Sequence, residues 1–216
     1  MTCACCEGAH PLAHPDPRKL APFGGERLPG YAAVLALFLA AAPAGAQLAA
    51  PPAQPFPAAG TVQVAFAPWD DAEGLVVEAI AAAERQILVQ AFSFTSRRIA
   101  QALVAARRRG VEVLVTADRE QTLAGEGSRI RDLAAAGIPV WLETRYAAAH
   151  SKVMVIDAGT RESTVVTGSF NWTVAAQRRN AENVLILRRN RDLARAYEAN
   201  WRRHQAQASP YPGARK

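Results

Sequence analysis

The sequence predicts an α/β fold, a mixed β-sheet flanked by helices, on three observations. Strand and helix signals alternate from Thr61 to Glu143; three apolar strands then follow between Ala149 and Leu187 with no long helix among them; and one amphipathic helix ends the domain. At 216 residues, half of them apolar, the chain has material for one domain of ordinary size with appendages.

TVQVAF (61–66) alternates as a strand, and Asp70–Arg85 carries apolar residues at helical spacing. ILVQAFSF (87–94) is rich in branched and aromatic residues and predicts a second strand. Ser96 is a capping residue for a helix over Arg97–Arg109, which Gly110 ends. VEVLVTA (111–117) predicts a strand, 127–136 a helix closed by Gly137, and IPVWLE (138–143) a further strand. Alternation of this kind predicts parallel pairing in this half. AHSKVMVID (149–157), STVVTG (163–168) and ENVLIL (182–187) are the three later strands. In the last helix, Asp192–His204, Leu193, Tyr197 and Trp201 recur every four residues and mark a core face. Trp69, Trp141, Trp172 and Trp201 are expected in core or rim packing, with Trp172 also a candidate for lining a cleft.

Residues 1–46 form a leader. Tyr31–Ala42 is an apolar run of 12 residues, too short for a membrane-spanning helix; Arg27 precedes it, and Ala44-Gly45-Ala46 follows Pro43. That pattern predicts a secretory signal peptide cut before Gln47, hence an exported, periplasmic or secreted domain with no stable transmembrane anchor. Residues 1–26 are unlike a signal n-region and are expected to precede the true start. They hold the three cysteines Cys3, Cys5 and Cys6, with His10 and His14, at a spacing that matches no zinc finger. Residues 47–60 are a Pro/Ala-rich linker, 61–206 the domain and 207–216 a flexible tail.

The chain carries a formal charge of +6, and the leader holds three of the 25 Lys/Arg and three of the 19 Asp/Glu, so the domain keeps that full excess. A basic domain favours polyanions, nucleic acid or anionic lipid. Having no cysteine after the leader, the domain has neither a disulfide nor a thiol nucleophile.

HSKVMVID (150–157) carries the chemistry. Side chains alternate along a strand, so His150 and Lys152 share one face at its mouth while Val153–Ile156 enter the core. Asp157 has the opposite parity and closes the strand as a turn residue. The next strand ends in Gly168-Ser169-Phe170-Asn171, where the glycine lets the backbone bend close to a ligand; another begins at Asn180-Ala181-Glu182-Asn183. Lysine, serine and asparagine supply donors that suit a phosphate, and histidine supplies a nucleophile or an acid–base group.

H-x-K-x4-D followed by G-S-x-N resembles the signature of the phospholipase D superfamily, matched at His150, Lys152, Asp157, Gly168, Ser169 and Asn171. The single motif, the size and the FSFTS strand end are similar to the small bacterial Nuc-type endonucleases of that superfamily, from about Val62 to Arg203. The loop 158–167 is four residues longer than the family's usual spacing, which bears on loop conformation and substrate access. The resemblance implies a phospholipase D-like fold and attack on phosphorus by His150, giving a phosphohistidine that water hydrolyses. It implies that Lys152 and Asn171 hold the phosphate oxygens, Ser169 binds phosphate or orients its neighbours, and Glu182 fixes the His150 tautomer by a hydrogen bond. Asp157 and Gly168 support the site. A second histidine protonates the leaving oxygen, so one motif per chain implies a homodimer with the active site at its two-fold interface. No metal and no cofactor is implied. The expected substrate is DNA or RNA, with phospholipid head groups as the alternative and a catalytically inactive dimeric DNA-binding module as the third reading. Arg97 and Arg98, with Trp172, are the candidate nucleic-acid contacts outside the motif, and Arg107–Arg109 are the other basic cluster considered for the DNA backbone.

Overall fold

A computed structural model describes residue 53 and residues 55–213 of the chain. The leader, with its cysteines and the expected signal peptide and cleavage site, lies outside the described residues. The strands are β1 (Thr61–Ala67), β2 (Gln86–Ala91), β3 (Glu112–Asp118), β4 (Val140–Glu143), β5 (Val153–Ile156), β6 (Thr164–Gly168), β7 (Glu182–Arg188) and β8 (Ser209–Pro210). The helices are α1 (Ala72–Ala81), α2 (Arg97–Arg108), α3 (Arg119–Leu123), α4 (Ile130–Ala135), α5 (Val174–Arg178) and α6 (Arg191–Gln205).

All eight strands form one mixed sheet in the order β1-β7-β6-β5-β2-β3-β4-β8. The expected parallel pairing holds for β2–β3 and β3–β4. It fails for β1, which runs in the same direction as β2 but pairs antiparallel with β7 at the sheet edge. The antiparallel run β5–β6–β7 fills the space between them, its strands joined by the loop 157–163 and by the segment that carries α5.

The centre of the sheet is buried on both faces. Ile87, Val89 and Ala91 of β2, with Met154 and Ile156 of β5, enter the larger core beneath α1, α2 and α4. Leu88, Val153 and Val155 enter a second core closed by Ala194 and Trp201 of α6. A strand covered on both sides has no polar alternation, which is why VMVI is continuously apolar. Two indoles lock the layers onto β2. Trp201 Nε1 donates to the Val89 carbonyl at 2.9 Å from one core, and Trp172 Nε1 donates to the Gln90 carbonyl at 3.0 Å from the other. Trp172 is therefore a core residue, 1% exposed, and lines no cleft. Trp69, expected to be packed, is 83% exposed.

Ser96 caps α2 as predicted, accepting from the Ile99 N–H at 3.0 Å, and Gly110 beyond it has φ +94°. Arg109, one of the basic cluster at that end, donates from Nη2 to the carbonyls of Ile80, Ala81 and Ala83. It closes the C-terminal end of α1 and is not a free cation. Part of the expected flexible tail is ordered: β8 pairs with β4, and the Tyr211 N–H donates to the Val140 carbonyl at 2.9 Å. In the expected linker, Pro57 accepts from Asn190 Nδ2 at 2.9 Å.

Asp157 sits at the end of β5 with φ +52°, a conformation Asp tolerates better than most residues. Its buried carboxylate accepts the N–H groups of Glu84, Arg85 and Gln86 at 2.9, 2.7 and 2.9 Å. It thus stitches β5 to the start of β2, at the rim opposite His150. The lengthened stretch 158–167 leaves from that same far rim as a loop that ends where β6 begins at Thr164, so its extra residues stand away from the mouth of the motif. Asp157→Ala leaves three donors without a partner. It is expected to lower unfolding stability by about 2–4 kcal/mol, as unpaired buried donors cost, measured by urea unfolding.

Candidate active site

Strand register brings the motif residues to one rim. Gln90 pairs with Val153, so the end of β2 lies beside the entry to β5. Gly168 pairs with Val184 and Glu182 with Ala67, which delivers the end of β6 and the start of β7 to the same side. His150, Lys152, Gly168 and Ser169 line one open pocket of about 390 Å3 together with Thr167 and Tyr197.

The residues 149–152 precede β5 and are extended without ladder bonds, yet the shared face predicted for His150 and Lys152 is observed. Lys152 Nζ lies 2.7 Å from His150 Nδ1 and 3.1 Å from Nε2, and donates to the His150 carbonyl at 2.6 Å. The imidazole is exposed, whereas Lys152 is 5% exposed. Phe92, just past β2, packs its ring 4.3 Å from that of His150 and lies 4.9 Å beneath the Lys152 ammonium. The ring orients the imidazole and offers its negative face to the cation. Burial pushes the Lys152 pKa below the usual lysine value, and the nearby Glu182 carboxylate partly restores it. The backbone ahead of His150 is fixed by Asp118, which accepts the Ala149 N–H at 2.9 Å.

Gly168 has φ +147°, and a Cβ there would stand 2.2 Å from the Asn183 carbonyl oxygen. The turn can approach β7 only with glycine, and this closeness lets Ser169 Oγ accept the Asn183 N–H at 3.0 Å. The Ser169 hydroxyl proton remains free for an acceptor in the pocket. Asn171 Oδ1 is buried without a hydrogen-bond partner. That atom is an acceptor, so any donor Asn171 offers a phosphate comes from the amide nitrogen at the other terminus.

Glu182 departs from expectation. Its carboxylate accepts from Asn180 Nδ2 at 2.9 Å, and no described hydrogen bond joins it to His150. Within one chain its charge acts on Lys152, because the ammonium and not the imidazole is the buried cation beside it. Arg98 is engaged by Asp71 at 3.3 Å and Glu73 at 3.7 Å, and is not a free nucleic-acid contact. Arg97 is exposed at the N-terminus of α2. Among the described residues no group of three His, Cys, Asp or Glu is placed to hold a metal ion. Phe92, Tyr197 and Asn183 are site residues that the motif does not contain. Strand parity gives Phe92 a signal in the sequence, two residues beyond Gln90 along the predicted strand 87–94; the four-residue spacing marks Tyr197 as a core residue, and its exposure to the pocket depends on where α6 crosses the sheet.

One His–Lys pair set against a G-S-x-N turn at the rim of a mixed sheet defines a class, that of the single-motif phosphodiesterase-like folds. Residues 76–204 match the family described as cardiolipin synthase, PLD-like domain. The chain belongs to the phospholipase D superfamily. It is 39% identical over 140 residues to a phospholipase D of Rickettsia prowazekii, a match covering 65% of this chain and 65% of that protein. The match therefore spans slightly less than two thirds of that relative. It is 35% identical over 121 residues to a mitochondrial cardiolipin hydrolase of Xenopus tropicalis, covering 56% of this chain and 55% of that protein. Among solved structures, Nuc from Salmonella typhimurium, a phospholipase D family member, matches with a TM-score of 0.66 and 35% identity over 70% of this chain and 97% of that one. NucT from Helicobacter pylori, at 22% identity, shares the fold with a TM-score of 0.63 over 70% of this chain and 99% of that one.

Gly168→Ala is expected to displace the β6–β7 turn, because the clash is with backbone. Activity on any phosphodiester should fall at least about tenfold, with a smaller loss on thermal unfolding, as for a strained turn at the site. Equal rates in wild type and variant on a chromogenic phosphodiester would show that the close approach is not needed.

Proposed function

We propose that this chain is a metal-independent phosphodiesterase, an exported non-specific endonuclease that hydrolyses DNA and RNA through a phosphohistidine intermediate. The observation that carries this reading is the contact between the exposed His150 imidazole and the buried Lys152 ammonium in an open pocket. A phosphate entering the pocket competes for that ammonium. Once Lys152 turns to a non-bridging oxygen, the imidazole nitrogen it had occupied is released toward phosphorus. Asn171, through its amide nitrogen, and the Ser169 hydroxyl supply further donors to the developing charge. A His150 nitrogen forms the P–N bond as the P–O bond to the leaving nucleotide breaks, and the leaving oxygen takes a proton. Water then attacks phosphorus, the P–N bond breaks, and the proton is returned. The acid in the first half is assigned to His150 of the partner subunit in a homodimer. The domain's charge, the likeness to small bacterial endonucleases and the apolar run before an A-x-A site support the substrate and export.

A phospholipid substrate is the second reading. It is favoured by the names of the curated relatives and by Phe66 and Trp69, 50% and 83% exposed on the same side of the sheet as the site. The inactive-module reading has against it that His150, Lys152, Ser169 and Asn171 are all present at one rim.

In EDTA, the full chain is expected to nick plasmid DNA, and His150→Ala to lose at least about 10^3-fold in rate, as for loss of a nucleophile. Release of phosphatidic acid from cardiolipin or phosphatidylcholine vesicles without nicking transfers the reading to lipid. Complete loss in EDTA with recovery in divalent ions overturns the mechanism.

The lowered Lys152 pKa fixes a second expectation. Its ammonium is lost below the pH at which an ordinary lysine, at 10.5, deprotonates, so activity should fall on an alkaline limb below that pH. Because the unfolded chain still binds this proton there, the same group adds stability as pH rises from the folded pKa toward 10.5. Lys152→Arg keeps its charge and should move the alkaline limb upward while lowering the maximum rate, read from kcat/KM against pH.

A further inference from the structure

A second concavity lies between α2 and α4, a groove of about 630 Å3 whose walls carry Arg97, Arg108 and Arg129. The one acid lining it is Asp132, paired with Arg129 at 3.1 Å. Arg97 and Arg108 stand on one stripe of α2, three turns and about 16 Å apart, over a floor of Ala100 and Ala105. Both are exposed, and no described hydrogen bond or ion pair engages either guanidinium. The contrast with their neighbours is direct. Arg98 is held by Asp71 and Glu73, and Arg109 by three carbonyls.

The groove mouth is tied to the site. The N–H groups of Thr95 and Ser96 both donate to the Trp172 carbonyl at 2.9 Å, directly after Asn171, and the Arg129 N–H donates to the Phe94 carbonyl at 2.9 Å. Arg97 follows Phe92 by five residues, so its Cα stands no more than about 18 Å from the Cα of the residue whose ring packs on His150. A concave track with cations at its two ends fits a chain of phosphates better than a flat membrane surface. At the duplex rise of about 3.4 Å per nucleotide along one strand, the span from Arg97 to Arg108 covers about five nucleotides, and fewer in an extended single strand.

We propose that the α2–α4 groove is a backbone-binding track for the nucleic-acid substrate, holding phosphates several nucleotides away from the one at His150. This rests on the nuclease reading of the site. The test uses the full chain with His150→Ala, in EDTA, and fluorescein-labelled single-stranded DNA of 20 and of four nucleotides. Arg97→Gln/Arg108→Gln is compared with Arg191→Gln/Arg195→Gln, which removes the same charge from α6. For the 20-mer, the groove variant should weaken binding and lower the slope of log Kd against log salt by about 1.4 to 1.8, two contacts at about 0.7 to 0.9 each. The four-nucleotide strand, too short to join the groove to His150, should lose less on the groove substitution than the 20-mer does. In the chain with His150 intact, the groove variant should raise KM for long DNA and leave turnover of bis(p-nitrophenyl) phosphate unchanged. If the groove variant and the α6 variant behave alike on the 20-mer while wild type nicks DNA, the track is overturned and the nuclease reading stands. If wild type neither binds nor cuts DNA yet hydrolyses vesicle lipid, both are overturned.

Discussion

Two buried carboxylates fix β5 at its ends, and the site depends on them. Asp157 collects three consecutive amides at the start of β2, while Asp118 holds the Ala149 N–H one residue before His150. Between them the four residues Val153–Ile156 are buried on both faces. Burying a Val or Ile side chain is worth about 1.5–3 kcal/mol, which holds the strand in the sheet; because both of its faces are apolar, its register is set by the carboxylate anchors at its two ends, whose hydrogen bonds a one-residue slip would break. His150 and Lys152 are held in place by a strand that cannot move and by anchors that do not themselves touch the ligand.

That rigidity explains how an ammonium can be kept in an unfavourable place. Lys152 is almost wholly buried, and its pKa is lowered by that burial, which means that the folded chain disfavours its charge. Contacts with the His150 carbonyl, the imidazole and the Phe92 ring offset part of the cost, and the Glu182 carboxylate offsets more. A phosphate dianion or diester offers the ammonium a stronger partner than any of these. On the proposed mechanism the resting contact with His150 is exchanged for the phosphate, and the exchange uncovers the imidazole. Gly168 makes the complementary contribution on the other side of the pocket, where its missing Cβ lets two strands approach closely enough to aim Ser169.

The parts of this arrangement legible in the sequence are those set by local periodicity. Strand parity placed His150 and Lys152 together, and Ser96 and Gly110 marked the ends of α2, because each depends on neighbours in the chain. Long-range partners were not legible. Asp157 was read as a turn residue, and the three amides it binds lie more than 70 positions away. Trp172 follows Asn171 in sequence but turns into the larger core, since its N–H finds the Gln90 carbonyl across the layer. β-α-β order alone groups β1 with the parallel strands, and only the later antiparallel strands decide what lies beside it. Arg98 and Arg109 looked like free cations for the same reason: their carboxylate and carbonyl partners come from α1 and the turn after it.

The chemistry of the site also argues for its incompleteness within one chain. A nucleophile and a general acid flanking one phosphorus must each approach their atoms to about 3–3.5 Å, which leaves two imidazoles some 6–7 Å apart. The domain's other histidine, His204, is hydrogen-bonded to the buried Glu143 at the end of β4 and packs against Tyr146. β4 is separated from β5 by β2 and β3, so three strand spacings of about 4.8 Å put Glu143 roughly 14 Å to the side of the entry to β5. A ring bonded to Glu143 cannot also reach a phosphorus held at His150. On the proposed mechanism, His204 is therefore not the acid for the leaving oxygen, and His150 of a second copy across a two-fold axis is the source we propose.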